Sequence, residues 1–262
     1  MARPFIMVAP NGARLGKTDH SALPLTIDEI AQTAMACHHA GADALHLHVR
    51  DRNGDHSLDP GLYREALAQL LKDVPDMPVQ ITTEAVGLFS VEEQFACLSG
   101  VQPQWASVSI REMSRDVDVA RRLYAFAKEA GTRLQHILYD TADAALLTQW
   151  QSNGIVQPDQ NEVILVLGRY ADGLPSDPGA IHAFHAALPK GTAWMICAFG
   201  PSEHACLIEA ARRGGDLRVG FENSRTAADD SEWTDNAASV AALVAALAHH
   251  DTTRAHPPIK ET

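Results

Sequence analysis

The stretch ADALHLHVRD, residues 42–51, decides the fold. Leu45, Leu47 and Val49 alternate with His46, His48 and Arg50, the two-residue period of a β-strand whose successive side chains point to opposite faces. The apolar set packs on helices, and the polar set faces the other way. A segment of helical period precedes it: TIDEIAQTAMACHHAG opens on the capping box Thr26-x-x-Glu29 and ends at Gly41. Another, YREALAQLLKDV, follows and is ended by Pro75.

Outward from this stretch the same unit recurs. Strand-like runs occur at PFIMVAP, ALHLHVR, VQITTEA, WASVSIR, RLQHILYD, EVILVLG, AWMICAF and LRVGFEN. Between them lie amphipathic segments such as RDVDVARRLYAFAKEAG, PGAIHAFHAALPKG, PSEHACLIEAARRGG and NAASVAALVAALAHH. Eight βα units in 262 residues predict an α/β protein with a single (β/α)8 TIM barrel, ahead of a doubly wound sheet. No repeat, low-complexity tract or linker divides the chain. Residues 1–250 are expected to form the catalytic barrel, with 251–262, DTTRAHPPIKET, a loosely held tail.

Composition narrows the function classes. At 46% hydrophobic the chain can bury a large core. Its longest apolar run, AASVAALVAALA at 237–248, falls short of the roughly 20 residues of a membrane span. MARPFIMVAPNG lacks a signal-peptide core. A soluble protein without a membrane partner is expected. Cys37, Cys97, Cys197 and Cys206 form no CxxC pair, which favours reduced thiols and the cytoplasm. A net charge of −12 without a basic cluster excludes nucleic acid as partner.

In a barrel, His46, His48 and Arg50 point inward, with His48 near the C-terminal mouth where active sites of this fold lie. Two imidazoles at i and i+2 can converge on one ion and leave positions for a carboxylate and substrate, as in catalytic zinc sites. The last strand, LRVGFEN, puts Arg218, Gly220 and Glu222 on one face beside the first strand; Glu222 completes the ligand set and Gly220 leaves room beside the ion. The plain alternative is a pair of core histidines satisfied by hydrogen bonds. Other strands are also read as polar inside: Gln80, Thr82 and Glu84; Ser107, Ser109 and Arg111; His136 and Asp140. An unpaired buried polar group costs about 1–3 kcal/mol, so the set implies a wet or ligand-filled mouth, although each residue singly fits a structural hydrogen bond.

GADALHLHVRDRNGDHSLDP (41–60), ITTEAVG (81–87), RVGFEN (218–223) and the first-strand loop APNGAR (9–14) together resemble the β-keto acid cleavage enzymes, named for 3-keto-5-aminohexanoate cleavage. The resemblance implies a (β/α)8 barrel carrying a divalent metal, typically zinc, that converts a β-keto acid and acetyl-CoA into acetoacetate and a new acyl-CoA. It also implies a homo-oligomer, a tetramer in the family. Position by position it implies metal ligation by His46, His48 and Glu222, with Arg218 catalytic beside them. It further implies substrate contacts from Thr82 and Thr83, with Ser109 in a similar polar position. Two positions depart from the pattern. Asn223 stands where the family has an acid working with the arginine, and Ile137 stands where a fifth-strand acid is expected, leaving His136 or Asp140 as substitutes.

An amide takes no proton at neutral pH, so the base falls to Glu84 on the third strand, or to Asp51 just beyond the second. Glu84 could equally form an ion pair with Arg50 or Arg111. Asn11 and Arg14 lie in the loop after strand one, where substrate tails are read. The planar fork of Arg14 matches a carboxylate, which predicts a β-keto acid with an anionic or neutral tail. Arg14 facing solvent, or pairing with an acid among residues 51–55, is the alternative. Three other functions stay open: a metal-dependent hydrolase, a CoA-independent lyase, and a barrel that only binds a metal or ligand. Against the first two, no strand carries an inward lysine and HxH lies on the second strand.

Overall fold

The computed structural model describes residues 3–168 and 175–254. Its strands are β1 (Ile6–Val8), β2 (Ala44–Leu47), β3 (Val49–Arg50), β4 (His56–Ser57), β5 (Val79–Thr82), β6 (Trp105–Ser109), β7 (Arg133–Leu138), β8 (Glu162–Leu167), β9 (Ala193–Ala198) and β10 (Asp216–Val219). Its helices are α1 (Ile27–Ala40), α2 (Pro60–Asp73), α3 (Val91–Val101), α4 (Ile110–Met113), α5 (Val117–Glu129), α6 (Thr141–Ser152), α7 (Ala180–Ala186), α8 (Glu203–Arg212) and α9 (Asn236–Arg254). The strands close into a barrel in the order β1-β10-β9-β8-β7-β6-β5-β2, each pair parallel. All eight strand-like runs supply a barrel strand, so the single (β/α)8 barrel stands. Helix α9 continues four residues past position 250, and residues 255–262 of the expected tail lie outside the described residues.

Local chemistry explains the elements that frame the mouth. Thr26 and Glu29 form the reciprocal capping box of α1, and Gly41 ends that helix in the left-handed region at φ 110°. Asp59 caps α2, with Pro60 in its first turn, so this helix starts three residues before Tyr63. Alternation along the strands separates two cores. Ile6, Val8, Leu45, Leu47, Ile81, Val108, Leu165, Ile196 and Val219 face the helices. Met7, Ala44, Trp105, Ile137, Ile164, Val166, Met195 and Cys197 fill the barrel interior.

Three features differ from the sequence reading. The second strand breaks at His48, and Val49–Arg50 pairs antiparallel with His56–Ser57 as a small hairpin over the mouth. The eighth barrel strand ends at Val219, so Glu222 sits in a turn rather than on a strand, because Gly220 takes φ 136°. His136 faces outward, not into the barrel: its ring packs against Tyr124 and its Nε2 donates to Gln160 O at 3.0 Å. The inward set on β7 is Gln135 and Ile137, continued by Tyr139 beyond the strand.

Candidate metal centre and active site

Three of the expected residues meet at the C-terminal mouth. His46 comes from β2, His48 from the break after it, and Glu222 from the turn after β10. Their ligand atoms all lie within 4.8 Å of one another. His46 Nε2 is 3.7 Å and His48 Nε2 3.4 Å from Glu222 Oε2. Tetrahedral zinc with bonds near 2.0–2.1 Å has ligand–ligand edges of about 3.3–3.4 Å, so the spacing suits one small ion. The rings of His46 and His48 meet edge to face, 5.1 Å between centroids.

The surroundings fit a cation. His46 Nδ1 donates to Gln80 Oε1 at 2.7 Å, and Gln80 Nε2 in turn donates to Gln135 Oε1 at 3.1 Å. This chain fixes the Nδ1–H tautomer and leaves the Nε2 lone pair turned toward Glu222. Burial, reinforced by the charge of Arg218, pushes His46 down to about 3, so its imidazole is neutral and basic toward a metal. His48 is fully buried with neither ring nitrogen hydrogen-bonded, and Glu222 Oε2 likewise has no hydrogen-bond partner. Buried polar atoms left so are expensive, and an ion at their common centre would satisfy both. Burial opposes the charge on Glu222, yet Arg218 foremost holds it well below the usual carboxylate range. Arg218 Nη2 bridges Glu222 Oε1 at 2.9 Å and Cys197 Sγ at 3.3 Å. The other carboxylate oxygen, Oε2, is left facing the two imidazoles, where it could hold a cation.

A cavity of 330 Å³ opens over these groups. Its polar lining includes Asn11, Arg14, His46, Thr82, Glu84 and Arg218, and its apolar lining includes Leu15, Ile137, Val166 and Phe199. Glu84 Oε2 lies 3.9 Å from His48 Nε2. Burial, with the negative charge of Glu222 adding to it, raises the Glu84 carboxyl above its ordinary value. Neither arginine expected beside it pairs with it. Arg111 binds Asp140 and Asp143, and the Arg50 guanidinium donates to the carbonyls of Gly12, Leu15 and Gly54. Asp51 accepts from the backbone N–H groups of Asn53 and Asp55 in an exposed turn, outside the cavity lining.

Other expected contacts divide. Asn11 lines the cavity, and its Nδ2 donates to His48 O at 3.2 Å and Pro24 O at 3.0 Å. Thr82 Oγ1 accepts from Glu84 N at 3.1 Å. Arg14 is exposed at the rim. Thr83, Ser109 and Asn223 are buried behind the lining: Thr83 Oγ1 donates to Ser107 O, and the Asn223 carbonyl accepts from Gly200 N. Asp140 caps α6, and His136 lies outside the barrel wall, so neither stands in for the missing fifth-strand acid. The room expected beside Gly220 is not there. A Cβ on Gly220 would lie 2.5 Å from Ala9 O, whereas one on Gly12 would lie 2.6 Å from Glu222 Cγ. Gly12 is the glycine that makes space for the acid. His56 was not expected: its ring centroid is 5.2 Å from that of His48, and its Nε2 donates to Glu84 O at 2.8 Å.

Residues 4–258 match the beta-keto acid cleavage enzyme family. The chain belongs to that family. It is 25% identical over 233 residues to the 3-keto-5-aminohexanoate cleavage enzyme of Fusobacterium nucleatum subsp. nucleatum, covering 86% of this chain and 84% of that protein. It is 23% identical over 258 residues to the 3-oxoadipate:acetyl-CoA acetyltransferase of Cupriavidus necator, covering 94% and 89%. Among solved structures it superposes on ObcA with a TM-score of 0.67 at 16% identity, over 88% of this chain but only 62% of that one. It superposes on a type I 3-dehydroquinate dehydratase from Clostridium difficile with a TM-score of 0.64 at 11% identity, over 97% and 94%. At such identities the two structures speak for the barrel alone. Among the described residues of this cleavage-enzyme chain, no helix is long and apolar enough to cross a membrane.

Proposed function

We propose that this β-keto acid cleavage enzyme condenses a β-keto acid with acetyl-CoA and releases acetoacetate and a new acyl-CoA, at a zinc site formed by His46, His48 and Glu222. The observation that carries the reading is the convergence of two imidazole Nε2 atoms and one carboxylate oxygen beneath the cavity. A divalent ion bound there supplies Lewis-acid polarisation of the substrate ketone. Glu84, at the cavity wall with a raised carboxyl, takes the C2 proton. The C2 electron pair forms a bond to the acetyl carbonyl carbon, and the CoA thiolate leaves. The thiolate then adds to the original keto carbon, the bond from that carbon to C2 breaks, and the proton returns to C2. Arg218, within the cavity lining and fully charged, stabilises negative charge as it develops on oxygen. Asn223, a neutral amide buried behind the cavity lining, is not the base.

The tail of the acid lies along Leu15, Ile137, Val166 and Phe199 and ends near Arg14. An apolar wall with one guanidinium at the rim favours a tail that is apolar along its length and anionic or neutral at its end. The name of the Cupriavidus necator relative gives an acid with an anionic tail as its substrate. Free buried thiols at Cys37, Cys97, Cys197 and Cys206 support a reducing, cytoplasmic setting. The test is incubation of the protein with acetyl-CoA and dicarboxylic, neutral and amino-bearing β-keto acids, followed by mass spectrometry of every CoA ester. The expected result is a new acyl-CoA with acetoacetate, best from the dicarboxylic or neutral acid, with the preference lost in Arg14→Ala. Hydrolysis or cleavage without acyl-CoA formation would overturn the reaction, and full metal content in His48→Ala would overturn the ligand set.

A further inference from the structure

Glu222 lies beyond the end of β10, so regular strand pairing does not hold it. The turn 220–223 is held by two side chains from outside the barrel. Asn236, the first residue of α9 and fully buried, accepts from Phe221 N at 2.9 Å through Oδ1. Its Nδ2 donates to Pro10 O at 3.1 Å. Glu203, the first residue of α8 and 1% exposed, accepts from Gly220 N at 3.1 Å through Oε1. Its Oε2 has no hydrogen-bond partner. Burying a carboxyl with half its capacity unused is unfavourable, and the bond to the turn is its one protein contact of this kind among the described residues. A third restraint is the main chain itself, Glu222 N to Ala9 O at 3.1 Å.

Asn236 thereby ties the two segments that position two separate ligands. Pro10 precedes Asn11, whose Nδ2 holds His48 O, and Phe221 precedes Glu222. The amide of Asn236 and the direct Glu222 N to Ala9 O bond together span the exit of β1 and the turn after β10. We propose that Asn236, seconded by Glu203, is a positioning residue for the metal ligand Glu222, keeping its Oε2 in register with the His46 and His48 Nε2 atoms. Neither side chain lines the cavity or touches the ligand atoms, so the effect is on ligand placement. The inference rests on the ligand set proposed above.

Metal-free full-length protein titrated with Zn2+ against a competing chelator tests it, alongside the thermal midpoint of each metal-free variant. Asn236→Ala and Glu203→Ala should each weaken Zn2+ binding about 10- to 100-fold, the usual cost of losing an outer partner of a metal site. Glu203→Gln keeps an oxygen for Gly220 N and should stay within about threefold of native. Ser239→Ala removes another, partly buried, bond of α9, to His204 Nε2 at 3.0 Å, and should lower the midpoint with unchanged Zn2+ affinity. Native Zn2+ affinity in folded Asn236→Ala and Glu203→Ala, or an equal loss in Ser239→Ala, would overturn the proposal. If Asn236→Ala does not fold, the contrast between Glu203→Ala and Glu203→Gln decides. Native protein that takes up no Zn2+ would remove the ligand set itself, and this inference with it.

Discussion

Replacing Gly12 with alanine tests how the mouth is packed. Gly12 sits at φ 60°, and an added Cβ would lie 2.6 Å from Glu222 Cγ and 3.1 Å from its Cβ. Ordinary carbon contacts are about 3.5–4.0 Å, so Glu222 or the loop must retreat by roughly 1 Å. Two costs follow. The left-handed backbone costs alanine about 1–2 kcal/mol, which in a chain of this size lowers the midpoint by roughly 2–8 °C. Misplacement of a site group by about 1 Å can cost on the order of 100-fold in turnover. Gly154→Ala separates the two, because Gly154 has φ 69° and nothing lies within 4 Å of where its added methyl would sit. Gly154→Ala should lose only the backbone share of stability, read by calorimetry, and Gly12→Ala at least as much, while only Gly12→Ala loses kcat/KM and Zn2+ affinity. Equal kcat/KM in the two variants would refute the reasoning that Gly12 makes room for Glu222.

Removing the Glu84 carboxylate in Glu84→Gln should lower kcat about 100- to 10,000-fold with the fold intact by circular dichroism; a kcat within tenfold of native would eliminate it as base. Arg218→Lys keeps the charge but loses the fork, and turnover should fall at least about tenfold while the midpoint changes little; unchanged turnover excludes a role in catalysis. His136 is pushed by burial from 6.5 to about 4, so between those pH values the unfolded chain binds the extra proton and stability falls as pH falls. The slope is about 1.4 kcal/mol per pH unit, roughly 3 kcal/mol in all, and His136→Gln should flatten urea-unfolding stability across pH 7 to 4 by that amount.

The barrel was legible because eight short runs rich in β-branched and large apolar residues alternate with segments of helical period, and because Leu45, Leu47 and Val49 left no other use for His46. The ends of strands were not. Whether His48 continues a strand depends on Arg50 finding carbonyls in the loop after β1, a contact between segments some 38 residues apart. Polarity also misled at β7. It marks the inner face near the two histidines, as at Gln80 and Thr82, but other inward positions that line the cavity are Ile137, Val166 and Phe199. On β7 the inward positions are Gln135 and Ile137, and the histidine between them, His136, is turned outward to Tyr124 and Gln160. His56, Glu203 and Asn236 act through backbone groups remote in sequence, and no spacing announces such bonds.

The ligand set straddles the place where the sheet joins its own beginning: β1 pairs with β2 on one edge and β10 on the other, and the ligands come from those two flanking segments. A nascent chain that has not yet made residue 222 holds two histidines and no third ligand, whatever part of the sheet has formed. Capture of an ion by all three groups would therefore wait until the last barrel strand has closed against the first. An ion held by the three groups would be a clasp on that seam, and its removal should first be felt as faster amide exchange along β1 and β10 rather than across the far wall of β7 and β8.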